Sequence, residues 1–389
     1  MAFDESGLLA AAKAQTGLSD FGPDHFREGL SVLIKALNTE AKLRPHYEPI
    51  VQYRIVEQLV KRLQMQAVFN AHPEILEERI EAPICIIGSP RSGSSIMHEI
   101  WSMDPANRTP LAWEVWNPLP PPETATYHTD PRIAERQAQF DAIYAMFPEL
   151  RSMHRMGATL PSEDVEMTTL EFASVVFIVD CFIPSYARWL YAESDYAPVF
   201  ESQRRYMQLL QWKAPGAPWV LKSLHNVHYM QKFLAAFPDV RVIWLHRDPL
   251  SALGSGAHLA TTMTMPNAEG LDPKAIARDV AQWSVVHHDK TVDIHEQGLL
   301  KPENVYHVHF REFVKDHVSM VGRIYAHFGM ELTAGAERKM RDYVAAHSAE
   351  QHGKHVYNLS EMGLDADEYR QKFARYLRTF DVPADGPGA

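Results

Sequence analysis

Basic and hydroxyl side chains directly follow a short apolar segment early in the chain. Residues 84–87 are apolar, mostly β-branched, and end at Gly88, a pattern typical of a buried strand in a parallel sheet. A loop of small residues then leads into 94–101, whose apolar side chains have helical spacing. Because free N–H groups and the positive end of the dipole converge at a helix start, such a loop binds anions. The predicted anion site consists of Pro90, Arg91, Ser92, Gly93, Ser94 and Ser95.

Two further cations are predicted to lie at the same edge of the sheet. The apolar segment 219–222 ends on Lys222, and the segment 240–246 is followed directly by Arg247. In parallel sheets, ligands bind beyond the carboxyl ends of the strands, so we expect both cations to face the loop. A guanidinium group can hold a phosphate through two parallel hydrogen bonds, and the helix that follows carries the hydroxyl of Ser255.

The alternation of apolar segments with helical patterns predicts an α/β fold with a central parallel sheet flanked by helices. The predicted strands are 84–87, 219–222, 240–246 and 304–308. Two amphipathic helices precede the first strand, so residues 1–80 are interpreted as an N-terminal helical extension packed on the core. Residues 81–389 then form the main domain, and the whole chain is one globular unit.

Four less regular segments are also given an expected conformation. Residues 1–20 are small and polar and are expected to fray. Residues 162–181 begin with a capping serine and acids, which predicts one continuous helix. Residues 261–270 show no periodicity and are interpreted as a mobile loop over a pocket, and the basic segment 351–357 as a solvated turn.

The composition of the chain excludes some kinds of binding partner and indicates the compartment in which the protein is expected. The net charge of −11 argues against nucleic acid as a partner. Both cysteines lie in apolar segments and are expected to be buried thiols of a reducing compartment. The start of the chain is unlike a signal peptide and no apolar segment can span a bilayer, so a cytoplasmic protein is expected. The 20 histidines show no zinc spacing, and no metal is predicted.

The loop Pro-Arg-Ser-Gly-Ser-Ser at 90–95 resembles the 5′-phosphosulfate loop of sulfotransferases that use 3′-phosphoadenosine-5′-phosphosulfate (PAPS). Its Arg form is typical of the tyrosylprotein sulfotransferases and of a large bacterial branch. Arg247, with Ser255 eight residues later, resembles the 3′-phosphate-binding element of the same enzymes. The resemblance covers about residues 80–256. It implies a P-loop-kinase-like sulfotransferase fold.

The resemblance also implies a reaction and roles for the basic residues. The sulfuryl group would pass from PAPS to an acceptor hydroxyl by in-line displacement, and 3′-phosphoadenosine-5′-phosphate (PAP) would leave. Lys222 would contact the bridging oxygen of the phosphosulfate, where charge develops as the sulfuryl group departs. Arg91 would bind the sulfuryl and bridging oxygens. The acceptor is expected to be a small, partly apolar molecule, with carbohydrate or peptide acceptors kept open.

Three groups compete as the general base that takes the acceptor proton. Glu114 lies near the position of the catalytic Glu in the tyrosylprotein enzymes. An acidic cluster contains Glu163, Asp164 and Glu166, of which the first and last are one turn apart. His225 follows Lys222 by three residues, whereas the cytosolic enzymes place their histidine two residues on. A glutamate is favoured, and Glu114 and Glu166 are not distinguished.

Two other functions remain as alternatives. A nucleotide or small-molecule kinase of related fold would need Gly-Lys-Ser/Thr where this chain has Gly93-Ser94-Ser95. A non-catalytic protein that binds an adenosine phosphate would have no use for both Arg91 and Lys222 at the reactive end. The oligomeric state is left open, with a homodimer as one option.

Overall fold

One parallel sheet lies at the centre of the part of the chain that the computed structural model describes, residues 3–216, 218–347 and 358–384. Its strands are Ile84–Gly88 (β1), Val220–Lys222 (β2), Arg241–His246 (β3) and Val305–His309 (β4), in the order β2-β1-β3-β4. Ile86 pairs with Lys222, and Gly88 pairs with Leu245. The predicted α/β fold with a parallel sheet is confirmed, and the carboxyl ends of all these strands lie at one edge.

Helices cover both faces of the sheet. The α-helices are Glu5–Thr16 (α1), Phe26–Thr39 (α2), Glu48–Ala71 (α3), Ser94–Trp101 (α4), Ala112–Trp116 (α5), Pro131–Met146 (α6), Leu150–Met153 (α7), Pro184–Arg188 (α8), Ala197–Gln211 (α9), Met230–Ala236 (α10), Pro249–Thr264 (α11), Pro273–Glu296 (α12), Phe310–Phe313 (α13), His317–His327 (α14), Ala334–Ala346 (α15), Ala366–Lys372 (α16) and Ala374–Thr379 (α17). Short 3-10 helices include Asp164–Glu171, Val175–Ile178, Asn226–Tyr229 and Met265–Asn267.

Alternate side chains of β1 supply two separate hydrophobic cores. Cys85 and Ile87 are fully buried in a cluster with residues of α2, α3 and α9. Ile84 and Ile86 are fully buried on the opposite face, against α4 and α14. Because successive side chains of a strand point to opposite faces, an apolar run without alternation requires both faces to be covered. The core that contains Cys85 also holds the N-terminal helices.

The expectation that residues 1–20 fray is wrong. They contain α1, in which Leu8 and Ala12 are buried and which packs on α3. The Asp4 side chain accepts a hydrogen bond from the Gly7 N–H at 2.8 Å, and Gly17 ends the helix in a left-handed conformation. Two buried side chains one turn apart are enough to hold this polar helix on the core because both of its ends are capped.

Two other local expectations are also wrong. The continuous helix over 162–181 is replaced by two 3-10 helices, with Phe172 at φ 51° between them. The expected loop over 261–270 begins instead with the last turn of α11, and a 3-10 helix follows it. The basic segment 351–357 lies outside the described residues. No helix in the described part of the chain is both long and apolar enough to cross a bilayer.

Candidate active site

The loop after β1 depends on two glycines. Gly88 has φ 142°, and a Cβ there would lie 2.4 Å from the carbonyl oxygen of Leu245 on β3. Gly93 has φ 89° immediately before α4, and a Cβ there would lie 3.2 Å from the Phe313 ring. Side chains are disfavoured at such positive φ values, so both positions require glycine for conformation and for space. The chain can therefore turn from β1 directly into the start of α4.

Some side chains of this loop hold the loop together, and others are exposed to solvent. Ser92 is fully buried, and its Oγ donates a hydrogen bond to the Ser89 carbonyl oxygen at 2.7 Å. Pro90, Arg91 and Ser95 are exposed. Ser92 thus fixes the loop internally, whereas the exposed residues can meet a ligand.

Lys222 joins the end of β2 to this loop. Its side chain is only 5 % exposed, and its Nζ donates to the Ser95 Oγ at 2.9 Å. The same ammonium group pairs with the Glu163 carboxylate, with 2.7 Å between Nζ and Oε1. The structure therefore brings Lys222, Ser95 and Glu163 together at the carboxyl edge of the sheet.

Arg247 joins the end of β3 to the same loop. Its Nη1 donates to the carbonyl oxygen of Arg91 at 2.7 Å, and its guanidinium carbon lies 4.1 Å from the centre of the Phe310 ring. Asp248 caps α11 by accepting from the Leu250 N–H at 3.1 Å. Ser255 is half-buried on that helix, two turns beyond its start. Arg91 and Arg247 are thus brought together, and α11 begins beside them.

Glu163 has the electrostatic environment of an ionised carboxylate. Burial acts to raise its pKa, but the Lys222 ammonium outweighs burial and holds the pKa below its ordinary value. The imidazoles of His154 and His225 act in the same direction as Lys222. His154 was not identified from the sequence because it follows the short helix α7 without any characteristic spacing.

Glu114 lies in a different, fully buried environment. Its two carboxylate oxygens accept from the Arg108 guanidinium, at 2.6 Å each. Oε1 also accepts from the Tyr127 hydroxyl at 2.8 Å and from the Leu111 N–H at 3.0 Å. The Glu114 side chain has no exposed surface. Its carboxylate is therefore engaged by protein donors on both oxygens.

The other two acids of the predicted cluster, Asp164 and Glu166, follow Glu163 in the chain. Burial raises the pKa of the half-buried Glu166 to about 7, although Lys61 and Arg54 on α3 oppose that shift. Burial also raises the pKa of Asp164 to about 7, and one of its oxygens accepts from the Gln203 side chain at 2.8 Å. Of the three acids, Glu163 is the one that forms an ion pair with Lys222.

His225 lines a cavity of about 190 Å³ that adjoins the loop. Ser89 and Pro90 form part of its wall, and most of the remaining lining is apolar and comes from α11, α12 and residues 178–191. Burial lowers the pKa of His225 to about 4, so that its imidazole is neutral near pH 7. A largely apolar molecule in this cavity would have one end at the loop.

Tyr376, near the end of the described residues, contacts both anion-binding elements. Its hydroxyl lies 2.9 Å from the Nδ1 of His246, the last residue of β3. Burial raises the pKa of Tyr376, and hydrogen bonds with the Ser89 side chain and the Arg247 backbone act against that shift. No local pattern marks Tyr376 for this role, because more than one hundred residues separate it from Arg247.

The comparisons with known proteins agree with this geometry. A model described as the sulfotransferase family matches residues 83–334. The omega-hydroxy-beta-dihydromenaquinone-9 sulfotransferase Stf3 of Mycobacterium bovis is 20% identical over 311 residues, which are 76% of this chain and 75% of that protein.

Two crystal structures match nearly the whole chain. Sulfotransferase STF9 from Mycobacterium avium has a TM-score of 0.90 and 31% sequence identity, over 99% of both chains. Sulfotransferase STF1 from Mycobacterium tuberculosis H37Rv has a TM-score of 0.84 and 26% identity, over 96% of this chain and 99% of that chain. The family model and these structural matches together show that the chain belongs to the sulfotransferase family.

Proposed function

We propose that this sulfotransferase moves a sulfuryl group from PAPS to a hydroxyl of a largely apolar acceptor. The observation that carries the proposal is the convergence of three basic side chains on one glycine-containing loop. Lys222 is bonded to Ser95 of that loop and Arg247 to the Arg91 carbonyl. A donor with a phosphosulfate at one end and a phosphate monoester at the other needs cations in two places, as found here.

Each end of PAPS has candidate partners. The loop residues Pro90, Arg91, Ser92, Gly93, Ser94 and Ser95 would bind the 5′-phosphosulfate, because the start of α4 and the exposed Arg91 and Ser95 favour an anion. Arg247 and Ser255 would bind the 3′-phosphate beside the start of α11. Lys222 would stabilise the charge that develops on the bridging oxygen.

We assign the general base to Glu163. Its ionised carboxylate sits beside Lys222, where it can accept the proton of the acceptor hydroxyl as the new O–S bond forms and the S–O bond to PAP breaks. Glu114 is a weaker candidate because Arg108 and Tyr127 engage its carboxylate. Glu166 is weaker because burial raises its pKa to about 7 and the cations that oppose this shift lie on α3 and α6. His225 remains the second candidate because it is neutral and lines the adjoining cavity.

The acceptor would occupy the cavity next to His225. Its apolar lining favours an apolar body, and the named activity of the Stf3 relative, on a hydroxylated dihydromenaquinone, is of the same kind. We further propose that residues 1–80 are a helical extension of an 81–389 sulfotransferase domain, because α2 and α3 share a core with β1.

The first test is calorimetric binding of PAP and of ATP without metal. We expect micromolar binding of PAP and none of ATP, because the loop has Ser94 and Ser95 where kinases carry Lys-Ser/Thr. Arg247→Ala should weaken PAP binding by about 10- to 100-fold, as expected for a lost charge-assisted phosphate contact. Preference for ATP would favour the kinase, and unchanged affinity of the variant would move the 3′-phosphate elsewhere.

A second test separates an enzyme from a binding protein. Purified protein would be incubated with PAPS and a panel of apolar alcohols and phenols, and sulfated products would be identified by mass spectrometry. PAP binding with no PAPS-dependent product in any acceptor class, carbohydrates and peptides included, would favour the non-catalytic alternative.

A further inference from the structure

A single carboxylate lines the cavity that adjoins the anion-binding loop. Asp279 belongs to α12 and is half-buried, whereas most of its neighbours in the cavity wall are apolar, among them Ile276, Val280 and Trp283. An ionised carboxylate against apolar walls is unfavourable unless a partner compensates its charge. The Trp283 indole stabilises this charge in part, and a bound cationic group would compensate it further.

Asp279 lies far from the reactive end of the cavity. The reactive end is marked by His225 and, one 3-10 turn later, His228. His228 lies beside His287 of α12, with 5.5 Å between the ring centres. Asp279 precedes His287 by eight residues, which correspond to about 12 Å along the helix. A ligand that reaches from His225 to Asp279 must span roughly this length.

The charges around Asp279 favour a cation. Burial raises its pKa to about 6, the Trp283 indole acts in the opposite direction, and the Glu40 carboxylate adds to the shift. Asp279 is therefore largely ionised at neutral pH. In the three described ranges of the chain, no Lys or Arg forms an ion pair with it. A second acid nearby makes this end of the cavity more negative and more favourable for an ammonium group.

We propose that Asp279 is a specificity-determining residue that selects acceptors with a hydroxyl at one end and an ammonium group at the other. The class is an amphiphilic amino alcohol whose apolar body separates the two groups by about the length of eight helical residues. The hydroxyl would lie at the loop and the ammonium group at Asp279. This inference rests on the proposed sulfuryl transfer and adds the acceptor class.

The test compares two acceptors that differ in one group, 8-amino-1-octanol and 1-octanol, with PAPS at about pH 7.5, where an alkylamine is charged. For the unmodified enzyme we expect kcat/KM to be at least about tenfold higher for the amino alcohol, because a site built for a polar group rejects the analogue that lacks it. The gain should lie in KM, and the product should be the O-sulfate.

Asp279→Asn should reduce the ratio of the two kcat/KM values by about tenfold, because the amide keeps the shape and removes the charge. Asp342→Asn is the matched control: it removes one carboxylate from the exposed surface of α15 and should leave the ratio unchanged. The melting temperature of Asp279→Asn should not fall, since the substitution removes a partly desolvated charge. An unchanged ratio in Asp279→Asn, or an N-sulfated product, would overturn the inference.

The same experiments distinguish an error in the proposed function from an error in the role of Asp279. If both octanols are sulfated equally, the enzyme is a sulfotransferase and only the role of Asp279 is wrong. If neither is sulfated, calorimetric binding of the two octanols to the PAP complex decides the role of Asp279, because Asp279→Asn should still remove the preference for the amine. Absence of PAP binding would reject the donor, independently of Asp279.

Discussion

Two glutamate–cation pairs of this sulfotransferase differ in how fully their polar atoms are used. In the Arg108–Glu114 pair, the carboxylate has no exposed surface and accepts hydrogen bonds on both oxygens from Arg108, with further donors from Tyr127 and the Leu111 N–H. In the Lys222–Glu163 pair, a single contact of 2.7 Å joins the groups and a quarter of the Glu163 side chain is exposed.

We interpret this difference as one between a structural ion pair and the proposed catalytic one. A carboxylate whose oxygens are all occupied contributes to the fold and would need to lose hydrogen bonds before it could accept a proton. A carboxylate with one bonded oxygen and partial exposure stays ionised and can still meet a substrate. A glutamate paired with a basic residue can therefore serve either purpose, and we propose that hydrogen bonding decides between them.

The largest effect is expected for Lys222→Ala. Removal of the ammonium group should lower kcat by about 10³-fold or more, because it takes away the cation at the leaving oxygen. PAP binding should remain measurable by calorimetry. Lys213→Ala is the control, since that lysine pairs with Glu123 on the exposed surface. A loss in kcat smaller than tenfold would show that the Lys222–Glu163 pair is structural too.

Glu114→Gln should chiefly affect stability. It leaves the Arg108 guanidinium buried without its anion, which costs about 3–5 kcal/mol. Denaturant unfolding measures this cost, and kcat of the folded enzyme should change by less than about twofold. Glu123→Gln, at the exposed pair with Lys213, should cost at most about 0.5 kcal/mol. A normal stability together with a large loss of kcat would make Glu114 the base.

Glu163→Gln should lower kcat by about 10²-fold or more, the usual contribution of a general base. The affinity for PAP should stay within a few-fold of the unmodified value. His225→Asn is made in parallel, because it removes the second candidate from the cavity wall. If His225→Asn loses more activity than Glu163→Gln, the roles of the two residues are exchanged.

The smallest effect concerns the pH dependence of stability at Asp164, a buried acid for which the described residues provide hydrogen bonds but no ion pair. Burial raises its pKa to about 7, so the folded state holds a proton that the unfolded state releases near pH 4. The free energy of unfolding must therefore fall as the pH rises from about 4 to about 7. Asp164→Asn should show a shallower decline of melting temperature between about pH 5 and pH 8. Parallel curves for the two proteins would contradict the raised pKa.

The sheet could be predicted because β1, β2 and β3 contain short apolar segments that are each followed by a marked change of composition. The ends of these segments also locate Lys222 and Arg247 at the ends of strands. Their approach to the loop could therefore be predicted, because ligands and their binding residues lie at the carboxyl edge of a parallel sheet. The interrupted helix after Ser162 could not be predicted, because the left-handed turn at Phe172 depends on packing and leaves no mark in residue type. The helix α1 could have been found from its caps, Asp4 and Gly17.

The sequence could not predict which residues form ion pairs with the acidic side chains. Glu163 and Glu166 are one turn apart and equally plausible by spacing, and only the fold shows which one meets Lys222. Likewise, no local pattern marks Glu114 as the partner of Arg108 or His154 as a neighbour of Glu163. Such contacts join segments that are distant in sequence, and local periodicity carries no information about them.

The contacts of Tyr376 have a consequence for biosynthesis. The loop after β1 and Arg247 leave the ribosome long before α17, yet the tyrosine that bonds to both lies on that last helix. Because the chain is made from its N-terminus, all four strands of the sheet are synthesised before Tyr376 is added. The proposed donor site would therefore gain its contact with Tyr376 only after the strands of the sheet have been made. A nascent chain could form its core before the proposed PAPS site is complete.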